Sequence, residues 1–245
     1  KLFHRNPDWV IVDQYQLDDQ WERELRSYAN KILVIDDLAN RTHLCDLLLD
    51  QNLGRGSSDY AAKVPPQCVV LAGPRYALLR REFQANRRDS LLRRKNPKLR
   101  RLLVSMGGID TPNATVKVLE ALKKCALPEG FRILVVMGPH APWLTQVEDV
   151  AITMPWHTEV RVGVDNMALL MAKSDMAIGA AGSTVWELCC LGVPSLMAVL
   201  AENQRAAAAA LVEASAGAVA RSAITSACPP LMRTRPSCSA RRKGP

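Results

Sequence analysis

The segment 178–187, with the sequence IGAAGSTVWE, combines glycines, hydroxyl groups and a carboxylate in an order that suits the binding of an anion. A short apolar strand ends in a turn of small residues, and Ser183 and Thr184 then begin a helix. Gly182 lets the backbone approach a ligand closely, and the N–H groups of a helix's first turn attract phosphate oxygens. The carboxylate of Glu187, inside the helix, could accept hydrogen bonds from both hydroxyls of a ribose. The alternative is a tight turn capped by Ser183, with Glu187 stabilised only by the helix dipole.

Two further loops follow strands in the same half of the chain. Gly107 and Gly108 form a glycine pair after the strand LLVS, where a phosphate or a base could pack against bare backbone. Such a pair is also typical of an ordinary turn. The segment 201–204 (AENQ) follows another strand and presents the amides of Asn203 and Gln204. Its alternative interpretation is a helix N-terminus with capping residues.

In the first half, polar side chains also follow two strands. Asp13 and Tyr15 come directly after the strand WVIV, and we expect them to face the ligand from the opposite domain. Asp36 and Asp37 end the next strand. Paired carboxylates could act as acid and base, although termination of the strand and capping of the following turn is the favoured interpretation.

The elements that must position these loops alternate between short β-rich runs and helical stretches from end to end. This alternation predicts an α/β protein with parallel sheets, in which ligands bind beyond the carboxyl ends of the strands. We expect two Rossmann-like domains with a cleft between them, the first of them incomplete. The expected elements include a helix over 18–30 and a short strand around Ile152.

The predicted domain organisation has four parts. Residues 1–84 form the C-terminal part of an N-terminal α/β domain, and 85–101 form a basic interdomain segment. Residues 102–220 form the nucleotide-binding α/β domain. Residues 221–245, with four prolines and no apolar periodicity, form an atypical tail that we expect to be disordered.

Charge and composition exclude several classes of protein. The net charge is +8, but eleven Lys and Arg residues lie between Arg75 and Leu102, and five more lie between Cys228 and Pro245. Because aromatic residues do not alternate with these basic residues, we expect no nucleic-acid partner. The sequence has no apolar run long enough for a membrane helix and no signal peptide, so we expect no membrane contact.

The cysteines and histidines give no sign of a disulfide framework or a metal site. The seven cysteines form no C-x-x-C pair, which favours reduced thiols in a cytoplasmic protein. The four histidines also lack the spacing of metal ligands, so we expect neither a metal nor another cofactor.

Several longer motifs together resemble one known family. They are SMGGID, NMALLMAKSDMAIGAAGSTVWELCCLGVPSL and AENQ in the second half, and VDQYQLDDQWE, VIDDLANR and CDLLLDQN in the first. Over about residues 8–220 the chain resembles the UDP-2,4-diacetamido-2,4,6-trideoxy-β-L-altropyranose hydrolases of pseudaminic acid biosynthesis. That family has the two-domain GT-B architecture. It is similar to the glycosyltransferase that adds N-acetylglucosamine to lipid-linked peptidoglycan precursors.

The resemblance implies an activity and a set of binding residues. The expected reaction is hydrolysis of a UDP-linked diacetamido-trideoxy hexose at the anomeric carbon, with inversion and with release of UDP, without a metal. The diphosphate would be held by Gly182, Ser183 and Thr184, and the ribose by Glu187. The implied residues of the nucleotide cleft are Gly107 and Gly108, and those of the sugar or its phosphate are Asn203, Gln204, Asp13 and Tyr15.

The chain departs from the family's pattern at the catalytic base. The family's base is a histidine in an N-terminal Gly-x-Gly-His loop, and this sequence contains no such loop. Neither His4 nor His43 has that context, so the catalytic residue stays unassigned and is expected upstream of Lys1. The sequence is therefore interpreted as a fragment, active or inactive, with a monomer favoured. The alternatives are a GT-B glycosyltransferase that uses a UDP-sugar donor and a noncatalytic UDP-binding fragment.

Overall fold

The computed structural model of the chain describes residues 5–214 and 218–220. The chain divides into two compact units, with the boundary between Leu78 and Leu79. The tail predicted to be disordered, residues 221–245, lies outside the described residues, as does His4. In the described part of the chain, none of the helices has the length and apolar character needed to cross a membrane.

The first unit is a parallel sheet of four strands in the order β1-β2-β3-β4. Asp18 begins its helix by accepting hydrogen bonds from the N–H groups of Gln20 (3.1 Å) and Trp21 (3.2 Å). Ile32 and Leu48 are fully buried in the core of this unit. The elements are β1 (Trp9–Val12), α1 (Asp19–Leu25), β2 (Lys31–Ile35), β3 (Leu47–Asp50) and β4 (Val69–Ala72), with short 3-10 helices at Ser57–Tyr60 and Pro74–Tyr76.

The second unit is a parallel sheet of six strands in the order β10-β9-β8-β5-β6-β7. Its helices are α2 (Arg81–Arg93), α3 (Ala114–Leu122), α4 (Leu144–Ile152), α5 (Met167–Lys173), α6 (Thr184–Leu191) and α7 (Gln204–Glu213). Its strands are β5 (Arg101–Ser105), β6 (Arg132–Met137), β7 (His157–Val162), β8 (Met176–Ala180), β9 (Ser195–Ala198) and β10 (Ala218–Ala220).

The order of these six strands is that of a Rossmann fold. The chain enters the sheet at β5 in the middle, adds β6 and β7 on one side, and then returns to add β8, β9 and β10 on the other. The strand order therefore reverses between β5 and β8. In such sheets the ligand binds outside the carboxyl ends of the strands at this switch point. The loops that follow β5 and β8 thus flank the expected binding crevice.

Helix α2 occupies much of the segment 85–101, for which the sequence predicted an interdomain connection. The helix packs against the other elements of the second unit. Phe83 is fully buried, and the Ser90 hydroxyl donates to the Leu191 carbonyl at 2.7 Å. Arg93 and Arg94 both donate to the Ser174 carbonyl at the end of α5, at 3.0 and 2.9 Å. Part of the basic run therefore satisfies helix C-terminal carbonyls, which favour positive charge.

Two predicted elements differ from the structure. The strand expected around Ile152 is wrong, because α4 continues through that residue and the strand is β7 instead. β7 pairs only with β6 at the sheet edge and has the polar sequence HTEVRV, so it forms no apolar run. Helix α1 ends at Leu25 and not near Asn30. There the chain tightens into 3-10 geometry, with the Tyr28 N–H bonded to the Leu25 carbonyl at 2.8 Å.

The end of β6 requires a glycine because two backbones touch there. A Cβ atom on Gly138 would overlap the Gly108 carbonyl oxygen and lie 2.7 Å from its carbonyl carbon. We therefore expect Gly138→Ala to lower the free energy of unfolding by about 2–3 kcal/mol or more, measured by urea denaturation. The matched control is Gly108→Ala, whose Cβ meets nothing within 4 Å. That change should alter stability by less than about 0.5 kcal/mol, and equal losses in the two variants would contradict the packing described.

Candidate functional site

The loop after β5 exposes the backbone of its two glycines, and the buried Asp110 carboxylate connects it to helix α3. Gly107 has a φ of +89°, and a Cβ on Gly107 or Gly108 would meet nothing within 4 Å. The buried Asp110 carboxylate accepts from the Ala114 and Thr115 N–H groups at 2.8 and 2.9 Å. Asp110 therefore caps α3. The N-terminus of α3 already holds a carboxylate, which leaves the glycine pair as the part of this loop that can meet a ligand.

The loop after β8 leads into a helix whose N-terminus has no such side-chain cap. Ser183 is the N-cap residue of α6, but its backbone is helical and its side chain makes no capping hydrogen bond. The interpretation of Ser183 as the cap of this turn is therefore wrong. The Ser183 side chain is exposed and Thr184 is half-buried. Their hydroxyls and the first N–H groups of α6 form an arrangement that favours an anion.

The loop after β9 reaches over to the loop after β8. A Cβ on Gly182 would lie 3.8 Å from Nε2 of Gln204. The other end of that amide accepts from the Leu200 N–H at 2.9 Å, which fixes its direction. Asn203 is the N-cap residue of α7, and its side chain does not cap that helix. The structure thus brings Gln204 to Gly182, as expected for residues that share one ligand.

Glu187 lies in the first turn of α6, next to a cation that the sequence analysis did not identify. Its carboxylate is 3.8 Å from Nη2 of Arg80, which also pairs with Glu82 at 3.0 Å. Burial raises the pKa of Glu187, and the Arg80 guanidinium partly offsets this rise. The carboxylate therefore has an ionic partner within the unit. If Glu187 binds a ribose, it does so while it is paired with Arg80.

In the first unit, three side chains meet where β1 and β2 end. The Tyr15 hydroxyl donates to Oδ2 of Asp37 at 3.0 Å. Burial raises the pKa of Asp37, and the charge of Asp13 adds to this rise while the Tyr15 hydrogen bond opposes it. Asp13 and Tyr15 are therefore neighbours of one carboxyl group at the carboxyl edge of this sheet. The sequence had placed them at the same edge but had not paired either with Asp37.

Asp36 points the other way, into a buried chain of hydrogen bonds. It accepts from the Ala39 N–H at 2.8 Å and from the Tyr60 hydroxyl at 2.9 Å, and Arg41 lies 3.0 Å from its second oxygen. Burial opposes its charge, but these contacts and His43 outweigh burial and lower the pKa of Asp36 to about 2. Asp36 thus ends β2 and fixes the following turn, as the favoured interpretation held.

The same tyrosine also contacts Asp50, so one hydroxyl lies between two carboxyl groups. The Tyr60 oxygen lies 2.9 Å from Asp36 and 2.9 Å from Asp50, yet a hydroxyl has a single proton to donate. Burial raises the pKa of Asp50, while hydrogen bonds from the Asn52 N–H and from Tyr60, and the charge of Arg55 at 3.5 Å, oppose this rise. The Tyr60 hydroxyl is therefore shared between two buried carboxyl groups.

His43 completes this buried cluster. Its Nδ1 lies 2.8 Å from Glu22, and its Nε2 lies 3.9 Å from Asp36. Burial disfavours the charged ring, but the two carboxylates outweigh burial and raise the pKa of His43 to about 9. His43 is therefore a buried imidazolium at neutral pH. Because it is inaccessible to water and already protonated, it is not suited to activate a water molecule.

His140 is an exposed histidine in the loop after β6. It follows Gly138, and Gly138 packs against the Gly108 backbone. From the sequence, His140 was considered only as a metal ligand. The loops after β5 and β6 are neighbours because β5 pairs with β6, and this pairing is a long-range contact.

Comparisons with known proteins agree with this architecture. Residues 107–226 match the glycosyltransferase family 28 C-terminal domain. The chain is 29% identical over 181 residues to the UDP-2,4-diacetamido-2,4,6-trideoxy-beta-L-altropyranose hydrolase of Campylobacter jejuni, covering 73% of this chain and 61% of that protein. It is 32% identical over 139 residues to the spore coat polysaccharide biosynthesis protein SpsG of Bacillus subtilis, covering 57% of this chain and 40% of that protein.

A solved structure and a third relative extend the comparison. MurG of Acinetobacter baumannii superposes with a TM-score of 0.59 at 16% identity, covering 87% of this chain and 59% of that chain. An uncharacterized protein of Methanocaldococcus jannaschii is 28% identical over 207 residues, covering 81% of this chain and 42% of that protein. The chain thus spans between 40% and 61% of the length of these curated relatives.

The parallel sheets of the two units and the likeness to MurG define an α/β protein of the GT-B glycosyltransferase fold class, and the predicted fold class is confirmed. Within that class, the chain is similar to a UDP-2,4-diacetamido-2,4,6-trideoxy-β-L-altropyranose hydrolase, as its motifs predicted.

The raised pKa of His43 predicts a pH-dependent contribution to stability. A folded-state pKa near 9, against 6.5 for the unfolded chain, gives stabilisation that is complete below pH 6.5 and is lost as pH rises through about 9. We expect His43→Gln to cost on the order of 3 kcal/mol more at pH 6 than at pH 10. Urea denaturation of both proteins across this range measures the difference. A cost that does not change with pH would show that the ring is neutral in the folded chain.

Proposed function

We propose that the protein hydrolyses a UDP-linked diacetamido-trideoxy hexose at its anomeric carbon, and that it releases UDP and the free sugar for pseudaminic acid synthesis. The observation that carries the proposal is the N-terminus of α6, without a side-chain cap, at the switch point of the second sheet. The relationship to the Campylobacter hydrolase supports the choice of substrate.

In this proposal the second unit binds the nucleotide. The first N–H groups of α6 and the hydroxyls of Ser183 and Thr184 hold the diphosphate, and Gly182 lets its oxygens approach the backbone. Gly107 and Gly108 offer open backbone on the other side of the switch point. Glu187 accepts hydrogen bonds from the ribose hydroxyls.

The proposed sugar contacts rest on the family resemblance. Asn203 and Gln204 bind the sugar or its phosphate, and the position of Gln204 beside Gly182 supports this role. Asp13 and Tyr15 are assigned to the sugar as well. Within the first unit, both lie beside Asp37 at the carboxyl edge of their sheet.

The reaction needs a stabilised leaving group and a base. The oxygen of a water molecule bonds to the anomeric carbon as the bond from that carbon to the diphosphate oxygen breaks. UDP leaves with the bonding electrons, and the N-terminus of α6 stabilises its developing charge. The proton of the water passes to the base. His43 does not fit this role, and the resemblance assigns the base to a Gly-x-Gly-His loop that this sequence lacks.

A glycosyltransferase is the second candidate, since residues 107–226 match a glycosyltransferase domain. The two candidates share the nucleotide site and differ in what attacks the anomeric carbon. The noncatalytic alternative keeps the nucleotide site without either reaction.

Incubation with the UDP-sugar in the absence of an acceptor distinguishes these functions. We expect calorimetry to show UDP binding and NMR to show free sugar without an acceptor. Without a Gly-x-Gly-His base, the rate should be about 10²–10⁴ below that of the Campylobacter hydrolase. Turnover only after an acceptor is added would instead support a transferase. UDP binding without turnover under either condition would support the noncatalytic alternative.

The role of Glu187 can be tested separately from turnover. Charge-assisted hydrogen bonds contribute about 1.5–3 kcal/mol, so Glu187→Ala should weaken UDP binding about ten- to a hundredfold. The matched control is Glu120→Ala, which removes another helical carboxylate from a surface ion pair with Lys123 (2.7 Å). It should leave the dissociation constant for UDP unchanged in calorimetry. If Glu187→Ala leaves affinity unchanged and lowers the melting temperature, the carboxylate serves Arg80 and the helix dipole instead.

A further inference from the structure

Two cysteine side chains of the first unit lie side by side where β3 and β4 begin. The Sγ atoms of Cys45 and Cys68 are 3.6 Å apart. The Val69 N–H donates to the Asp46 carbonyl at 2.9 Å, so the residues directly after the two cysteines are hydrogen-bonded. Leu47 lies opposite Val69 in the pairing of β3 with β4, so Cys45 and Cys68 are on neighbouring backbones, about 4.8 Å apart, with an offset of one residue. A disulfide requires Cα atoms about 4.4–6.8 Å apart and a sulfur–sulfur distance of about 2.05 Å.

The two thiols have different surroundings. Cys45 is buried, whereas Cys68 is half-exposed. The hydrogen bond from the Cys45 thiol lowers the pKa of Cys68, and the charge of His43 adds to this effect, while burial and the charge of Asp46 oppose it. The contact with Cys68 and burial both raise the pKa of Cys45. The outer thiol is therefore the better nucleophile, and the inner thiol is protected from solvent.

We propose that Cys45 and Cys68 form a reversible redox pair that closes to a disulfide in the presence of a small disulfide such as oxidised glutathione. The Cys68 thiolate attacks one glutathione sulfur, which forms a mixed disulfide and releases one glutathione thiolate. The Cys45 thiol then loses its proton and attacks the sulfur of Cys68, which releases the second glutathione. Two thiols are oxidised and one glutathione disulfide is reduced. The two thiol protons end on the two glutathione molecules.

The bridge would close the loop that carries two members of the buried cluster. The loop between Cys45 and Cys68 contains both Asp50 and Tyr60. The described cysteines of the second unit have other surroundings. Cys125 is exposed and its thiol contacts the Ala121 carbonyl at 3.5 Å, while Cys189 and Cys190 are consecutive residues of α6.

The proposal is tested on the folded, reduced chain without denaturant. The protein is equilibrated with mixtures of reduced and oxidised glutathione, quenched with acid, alkylated and mapped by peptide mass spectrometry. We expect a cross-linked peptide pair that contains Cys45 and Cys68 and lacks two hydrogen atoms. It should increase with the oxidised fraction and disappear on return to reduced glutathione. A stable glutathione adduct on Cys68 with a free Cys45, or two free thiols at every ratio, would overturn the proposal.

Variants separate the roles of the two thiols. Cys45→Ala removes the resolving thiol, so the mixed disulfide on Cys68 should accumulate. Cys68→Ser should leave Cys45 unmodified, because Cys45 is buried, and this variant decides the matter if Cys45→Ala does not fold. Cys125→Ser is the matched control and should form the bridge as the unchanged chain does. A Cys45 that is glutathionylated as fast as Cys125 in the Cys68→Ser variant would contradict the assigned order of attack.

Discussion

The pairing of β5 with both β6 and β8 is the constraint on which the second unit depends. Because the chain enters this sheet in the middle, its strands fill one side and then the other. The loops after β5 and β8 therefore diverge and leave a crevice at the carboxyl edge. The Gly138 backbone presses against Gly108 from the β6 side, and Gln204 reaches Gly182 from the β9 side. Each neighbouring strand thus shapes one wall of the same crevice.

The N-termini of the two helices at this crevice differ, because a carboxylate of the protein caps only one of them. Helix α3 begins with the buried Asp110 carboxylate on its N–H groups, whereas α6 begins without a side-chain cap. The positive end of one helix is neutralised within the protein, and that of the other is left for a ligand. This asymmetry supports the proposal that the diphosphate binds at α6 and that the glycine pair makes the uncharged contacts.

The sequence allowed the prediction of features that depend on local patterns. Apolar runs predicted the parallel sheets, and the small residues around Gly182 predicted the turn into α6. Features that depend on long-range pairing were missed. β7 is a polar edge strand without an apolar run. Helix α2 was predicted as a connecting segment because it is rich in basic residues, although its Phe83 side chain is fully buried. Candidate residues at strand ends were found, but partners such as Arg80 for Glu187 were not, because only the fold brings them together.

The same limit applies to the buried cluster of the first unit. Glu22 and His43 are far apart in sequence, and no spacing rule connects them. The aspartate pair at 36–37 was visible, but the structure divides it. Asp37 meets Tyr15 at the sheet edge, whereas Asp36 belongs to the interior. Neighbouring residues at the end of a strand point to opposite faces, which separates a surface role from a buried one.

The sharing of the Tyr60 hydroxyl by Asp36 and Asp50 has a consequence for substitutions in this unit. One proton cannot be donated to both carboxyl groups at once, so a change at any of the three positions alters the contacts of the other two. Side chains in one such network do not contribute independently to stability, and the combined cost of substituting them differs from the sum of the single costs by about 0.5–3 kcal/mol. A redesign of this core therefore has to treat the three positions together.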